Sequence, residues 1–247
     1  QVVRRRAAAG ALLLGEVISR FADPDRAGIR SMDTAFLLRI LPALLEGLEI
    51  TVALTALALV GAAIGGLIVV AGRRSRFAAV RAVTIAYIDV MRNTPVLAQI
   101  FILYFGLPEI GLYPEAFACG VIALVLQNSA YAGEIYRAGI ESVKRTQTEA
   151  ALSLGMMPRR ALFDIVLPQA LRRVLPVLGN QAVVILKDSS IASTISVAEL
   201  TQAGKLLLDR SAAPYETFFM MAALYLTMAA ILLGAMKLLA WRFPVRT

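Results

Sequence analysis

The sequence predicts an all-α polytopic membrane protein, and three observations carry that prediction. Hydrophobic residues make up 59% of the 247 positions, against roughly 45 to 50% apolar for a soluble domain even with glycine counted, and mean hydropathy is +0.73. Uncharged runs at residues 50–72 and 217–236 reach the roughly 20 residues needed to cross a hydrocarbon core about 30 Å thick. The basic residues behind the net charge of +8 gather in alternate segments between apolar runs, as the positive-inside rule describes.

Residues 1–40 form an N-terminal segment in which Arg4, Arg5 and Arg6 precede an apolar stretch at 7–15. This reads as a partial extra helix, either the start of a sixth span or a signal-like segment, cut short by Glu16 and Arg20. The start at Gln1 rather than Met suggests a truncated or processed beginning.

Five spans follow within residues 41–243. The first, 50–72, carries Gly61 and Gly65 at the small-xxx-small spacing that lets helix backbones approach in lipid, with Gly66 and Gly72 nearby. Residues 77–92 predict an amphipathic helix on the cytoplasmic side, with Asp89 and Arg92 three apart on one face as a structural pair. Pro95 then opens the second span, 93–108, since proline starts helices well and breaks them internally. The third span is 116–133, and the fourth runs from 174 to 198 with Lys187 and Asp188 interrupting it. The fifth is 217–236.

Charge orients these spans. Arg73, Arg74, Arg76 and Arg81 follow the first; Lys144, Arg145, Arg159, Arg160, Arg172 and Arg173 separate the third from the fourth; Lys237, Arg242 and Arg246 follow the fifth. Those segments are expected in the cytoplasm, together with the C-terminal tail 244–247. Residues 108–114 have no Lys or Arg, and in 196–216 Lys205 and Arg210 are balanced by Glu199, Asp209 and Glu216, so both are expected outside. Such a distribution accounts for the basic charge without a nucleic-acid partner.

Several function classes fall away. The chain has no histidine, which removes histidine metal sites, Ser-His-Asp triads and histidine proton relays. Its single cysteine, Cys119, excludes an internal disulfide framework and reads as packing. No GxxxxGK[ST] phosphate loop occurs, so no nucleotide cofactor is expected on this chain.

The segment 141–168 is polar yet dotted with apolar residues at helical spacing, and a loop of that length is usually functional. Thr146 and Glu149 have capping-box spacing, Gly155 falls where a helix needs a left-handed residue to stop, and Pro158 falls where the next one starts. Pro168 is expected to end or kink the second short helix. The prediction is a compact helical hairpin on the cytoplasmic face.

Glu149, Ala150, Ala151, Gly155 and the later Leu167 and Pro168 resemble the EAA signature of ABC importer permeases. Arg92, Asn93, Thr94 and Pro95 with Gln99, the run from Ala130 to Arg137, and Leu186 to Ser190 are similar to the polar amino acid subfamily. Thr146 stands where that family commonly has Gly, and Ser189 where Thr is common. The resemblance implies that the hairpin docks on an ATP-binding subunit, which would carry ATP and magnesium, with Glu149, Ala150, Ala151, Gly155, Thr146, Pro158 and Arg159 in the coupling surface. It also implies a second permease subunit, identical or not, and an extracytoplasmic solute-binding protein delivering a polar amino acid. The setting would be a bacterial inner membrane.

Polar groups within spans are costly and tend to face a pathway. Candidates are Arg92, Thr94, Gln99, Asn128, Tyr131, Glu134, Lys187, Asp188, Ser189 and Ser190, alongside structural roles for Lys187 with Asp188 and for Glu134 with Arg137. Two other classes compete: an ion-coupled secondary transporter or channel using Asp188 or Glu134, and a membrane assembly factor without transport. The first leaves the hairpin unexplained, and the second leaves the polar cluster at 187–190 unexplained.

Overall fold

The computed structural model describes residues 34–210 and 213–241. The partial helix expected at 7–15 and the tail 244–247, with Arg242 and Arg246, lie outside the described residues. Among those described there is no strand.

Helix α1 (Thr34–Arg73) begins well before the uncharged run at 50 and contains Pro42. At 1.5 Å per residue its 40 residues extend about 60 Å, twice a hydrocarbon core. Next come α2 (Ala78–Asn93) and α3 (Val96–Phe101), the latter prolonged by a π-helical stretch (Ile102–Gly106) and a 3-10 turn (Leu107–Ile110). Helix α4 (Ala116–Glu141) leads to the hairpin, α5 (Arg145–Ser153) and α6 (Pro158–Arg160). A π-helical stretch (Ala161–Val166) joins α6 to α7 (Leu167–Asp188), followed by a 3-10 helix (Ser189–Ile195), α8 (Leu200–Arg210) and α9 (Pro214–Trp241).

Among the described residues three helices are long and apolar enough to cross a membrane: Ala35–Arg73, Ala116–Glu141 and Pro214–Trp241. A fourth crossing arises if Ala78–Asn93 and Val96–Ile110, bent by 106° at their junction, count as one broken span. Helix α7, where the sequence places the fourth span, is not among them.

Glycine contacts fix the helix directions. Gly61 lies against Val125, Gly65 against Ser129 and Gly133 against Val69, so α1 and α4 run in parallel with their backbones interlocked. The spacing of Gly61 and Gly65 therefore serves the close approach it predicts. Gly139 meets Val174 and Gly120 meets Ala192, which makes α7 and its 3-10 extension antiparallel to α4. Gly204 meets Met221 and Gly179 meets Met236, so α9 runs parallel to α4. Thr84 faces Gly72, Ile88 packs on Val69 and Ala130, and Gln127 reaches Thr94, so α2 and α3 climb antiparallel to α4.

One core cluster joins Leu54, Ala58, Val96, Ile100, Cys119, Leu124 and Ile185, uniting α1, α3, α4 and α7. A second joins Ile40, Leu44, Leu200 and Met221, where α8 is wedged between the start of α1 and α9. The outward surface stays strongly apolar, with Ile68, Val83 and Leu226 each about 70% exposed, which is the reverse of a soluble fold.

Two local expectations are corrected. Helix α5 starts at Arg145 behind Lys144, which has no side-chain capping bond. Thr146 is thus already helical and forms no capping box; Glu149 instead approaches Arg145 at 4.0 Å. At Pro168 the chain neither stops nor restarts, because the π-helical stretch before it widens the turn. That widening accommodates a residue without an N–H, and the Gln169 side chain donates to the Ile165 carbonyl at 2.9 Å.

Candidate functional site

The break between α2 and α3 lies beside Gln127, near the middle of α4. Proline at 95 forbids a continuous ladder there, so carbonyls at the end of α2 lose their partners. Side-chain amides replace them: Gln99 Nε2 donates to Thr94 Oγ1 at 2.8 Å and to Met91 O at 3.2 Å, and Gln127 Nε2 donates to Thr94 O at 3.2 Å. Non-helical backbone in a bilayer requires such substitution. Thr94 and Gln99 are therefore fasteners of the break, although Gln99 Oε1 is buried without a partner. Gln127 went unnoticed in the sequence because it sits inside an uncharged run next to the more suggestive Asn128.

Below the break a cavity of about 550 Å³ opens among α2, α4 and α7, lined by Arg92, Tyr131, Glu134, Arg137, Ser142 and Arg173. Such a volume suits a small molecule. Three predicted pathway residues, Arg92, Tyr131 and Glu134, converge here. Arg92 does not pair with Asp89 as its spacing suggested. Its guanidinium lies over the Tyr131 ring, 5.1 Å from the centroid, and among the described residues no carboxylate comes within ion-pair distance of it.

Glu134 binds Arg137 at 2.8 Å and Arg73 Nε at 3.2 Å, tying α4 to the end of α1. The pairing with Arg137 was legible from their spacing. Arg73 is 61 positions from Glu134, so only the parallel packing of α1 and α4 reveals its role. Arg137 also binds Glu141. Arginine therefore outnumbers carboxylate on the cavity wall, an arrangement that attracts a ligand carboxylate and holds its planar oxygens with guanidinium donors.

Other predicted pathway residues lie elsewhere. Asn128, 1% exposed, accepts from Gln181 Nε2 at 2.7 Å and donates to Leu124 O, locking α4 to α7 beside a smaller, apolar cavity. Lys187 is exposed and Asp188 half-buried at the end of α7, without an ion pair between them within 4.0 Å. The Ser189 and Ser190 hydroxyls each donate at 2.7 Å to carbonyls of their own helical turn.

The hairpin's turn is well defined. Gly155 has φ +79°, its N–H donates to Leu152 O at 3.0 Å, and the Met156 N–H donates to Ala151 O at 3.1 Å, the paired bonds of a Schellman stop. Pro158 begins α6 behind an extended Met157. The tip is apolar and bare, with Leu154 85% and Met157 70% exposed.

A buried polar knot at the opposite end of the bundle was also missed. Glu199 is fully buried and accepts from Tyr225 OH at 2.7 Å and from the Gln202 N–H at 2.9 Å, capping α8. Thr51 Oγ1 accepts from the Leu200 N–H at 3.0 Å, so α1 and α9 both grip the start of α8. Burial pushes the Glu199 carboxyl above its ordinary pKa, and these donors partly oppose that.

A bundle of apolar helices thus carries a sharply bent helix pair, a cavity faced by arginines and a bare helical hairpin. Residues 61–243 match the family described as the binding-protein-dependent transport system inner membrane component, and the chain belongs to it. It is an ABC importer permease, an integral membrane subunit that is not itself a catalytic enzyme. It is 37% identical over 216 residues to the probable amino-acid ABC transporter permease protein y4tG of Sinorhizobium fredii, covering 87% of this chain and 93% of the relative. It is 31% identical over 207 residues to the glutamine transport system permease protein GlnP of Escherichia coli, covering 83% and 94%. The crystal structure of an amino acid ABC transporter with histidines superimposes with a TM-score of 0.81 at 35% identity, covering 86% of this chain and all of that one. The MetNI methionine ABC transporter shares the fold at 13% identity, with a TM-score of 0.64.

Proposed function

We propose that this permease moves polar amino acids inward across a bacterial cytoplasmic membrane, driven by partner ATPases that bind ATP and magnesium. An extracytoplasmic binding protein delivers the substrate, and two permease subunits enclose the path, because the helices of one leave the cavity open on a side. The observation that carries this reading is the cavity under the broken span. Its excess of arginine suits an amino acid's carboxylate, and among the described residues no carboxylate pairs with Arg92.

In this reading the chain crosses the bilayer five times, α2 with α3 forming one crossing and α7 with its 3-10 extension another. The antiparallel and parallel contacts among helices support that count, and the basic segments put the hairpin and C-terminus in the cytoplasm. Glu149, Ala150, Gly155, Thr146, Pro158 and Arg159 face the ATPase, with Leu154 and Met157 as the apolar centre of the contact, while Ala151, 5% exposed, packs behind that surface and does not belong to it as the sequence suggested.

The test is uptake by proteoliposomes containing the purified complex, its ATPase and its binding protein, with a panel of labelled amino acids. Arg92→Gln is expected to lower uptake by about tenfold, the scale of a lost charge-assisted contact, while ATP hydrolysis persists. Uptake that follows an ion gradient and ignores ATP would sink the proposal in favour of a secondary transporter.

A further inference from the structure

The hairpin's two ends meet at an unusually close joint. A Cβ built on Gly139 would collide with the Val174 side chain, lying 3.6 Å from its Cβ and 3.5 Å from Ala170 O. The backbones of α4 and α7 are thus in contact at the point where the chain enters and leaves the hairpin. Ser142, the residue after α4, donates from Oγ to Gly139 O at 2.7 Å. From α7, Arg173 Nη1 donates to the Ser142 carbonyl and, at 3.0 Å, to Ser142 Oγ. Val143, Val166 and Ala170, with Ile140 and Leu162, close a small apolar core directly beneath. Ser142 and Arg173 also belong to the wall of the cavity that holds Arg92 and Glu134.

A push on the hairpin tip has two outcomes. The hairpin can swing about its base, in which case the motion dies there, or it can carry the base with it. Swinging requires breaking the bond from Arg173, parting the apolar core and separating two interlocked backbones. Packed joints of this kind behave as rigid bodies rather than springs.

We propose that this joint stays closed throughout the transport cycle, with Arg173 as a positioning residue that binds the two ends of the hairpin into one body and passes its displacement to the cavity wall. The proposal rests on the coupling role of the hairpin given above. Arg173 here acts through Ser142 and needs no contact with substrate.

The experiment uses the full complex with its ATPase and binding protein in proteoliposomes, reading amino acids taken up per ATP hydrolysed. Arg173→Gln is expected to leave assembly and hydrolysis close to wild type while lowering uptake per ATP at saturation by about tenfold, since a hydrogen bond to a charged donor is worth at least that factor. The half-saturating substrate concentration is expected to stay unchanged, whereas loss of a substrate contact in the cavity wall would raise it. Arg173→Lys, which keeps a charged donor, is expected to recover a large part. A merely structural role would lower hydrolysis and uptake together, and that result, or an unchanged ratio in Arg173→Gln, overturns the proposal.

A second variant asks directly whether the joint opens. Gly139→Cys with Val174→Cys, in a Cys119→Ser background, places two thiols at a Cβ separation of 3.6 Å, inside the disulfide range of about 3.5–4.5 Å. Oxidation is expected to leave uptake per ATP unchanged. Loss of uptake on oxidation, restored by a reductant, shows that the joint must open and overturns the proposal. Failure of the coupling reading itself looks different: wild-type uptake would then be independent of ATP.

Discussion

Gly155→Ala separates backbone conformation from every other property of the hairpin's turn. Nothing lies within 4 Å of the Cβ that alanine adds, so the substitution creates no clash and removes no contact. What remains is the cost of holding an L-residue at φ +79°, about 1–2 kcal/mol. Each 1.4 kcal/mol is a factor of ten in an equilibrium, so the turn is expected to open about tenfold more often. The hydrogen bonds from Gly155 to Leu152 O and from Met156 to Ala151 O report that opening. Hydrogen exchange at those two amides, measured on the assembled complex, is expected to accelerate by about the same factor. Gly155→Asn is the matched control, because asparagine tolerates the left-handed region; its exchange and its uptake per ATP are expected to stay near wild type. Gly155→Asp adds a charge at a surface assigned to the ATPase and is expected to uncouple transport while leaving membrane insertion intact. Equal exchange in the alanine variant and wild type, or equal damage from alanine and asparagine, would refute the reasoning.

Gly66→Leu is expected to abolish assembly of a stable complex, scored by size-exclusion chromatography, because even a Cβ there would sit 2.6 Å from Ala132 Cβ and 3.0 Å from the Gly133 amide nitrogen. Gln127→Leu leaves the Thr94 carbonyl with only a 3.5 Å approach from Gln99 and is expected to cost about 1–3 kcal/mol, read as a lowered thermal midpoint in detergent. Glu199→Ala strands the Gln202 N–H and leaves the Tyr225 hydroxyl with Thr201 alone, and should destabilise the chain by a similar amount. Because burial raises the Glu199 pKa, the folded chain holds that proton more tightly than the unfolded one. Its contribution to stability is complete at low pH and declines as pH rises from about 4 toward the folded value. Glu199→Gln should flatten that slope in a thermal melt.

Much of the architecture was legible because bilayers impose strong compositional rules. The apolar runs at 50–72, 116–133 and 217–236 lie within α1, α4 and α9, and Gly61 and Gly65 announced the close packing they provide. Gly155 and Pro158 marked both sides of the hairpin turn, since φ restrictions act locally. Local rules failed where competition was tertiary. Thr146 and Glu149 have the spacing of a capping box, but the helix starts earlier, at Arg145. Pro168 reads as a breaker, yet a widened turn absorbs it. For the site, convergence of Arg92, Tyr131 and Glu134 followed from the expense of polar groups in lipid. The same reasoning could not separate them from Thr94 and Gln99, which serve the break, or from Ser189 and Ser190, which bond their own helix. Arg73, Ser142, Arg173 and Glu199 act through partners distant in sequence, and one sequence without its fold gives no measure of that proximity.

The junction at Pro95 has a mechanical meaning beyond its role in closing the backbone ladder. An ordinary helix resists bending because each degree of tilt stretches main-chain bonds that have nowhere else to go. Here the main-chain bonds that Pro95 removes between α2 and α3 are replaced by the amides of two glutamine side chains, Gln99 and Gln127, both held on Thr94. Gln127 belongs to α4 and not to the bent pair, so one of the bonds that fasten the bend comes from a neighbour. The corner is thereby bracketed to the frame of the bundle at its apex, and the two arms of the bend share one support buried beside the middle of α4.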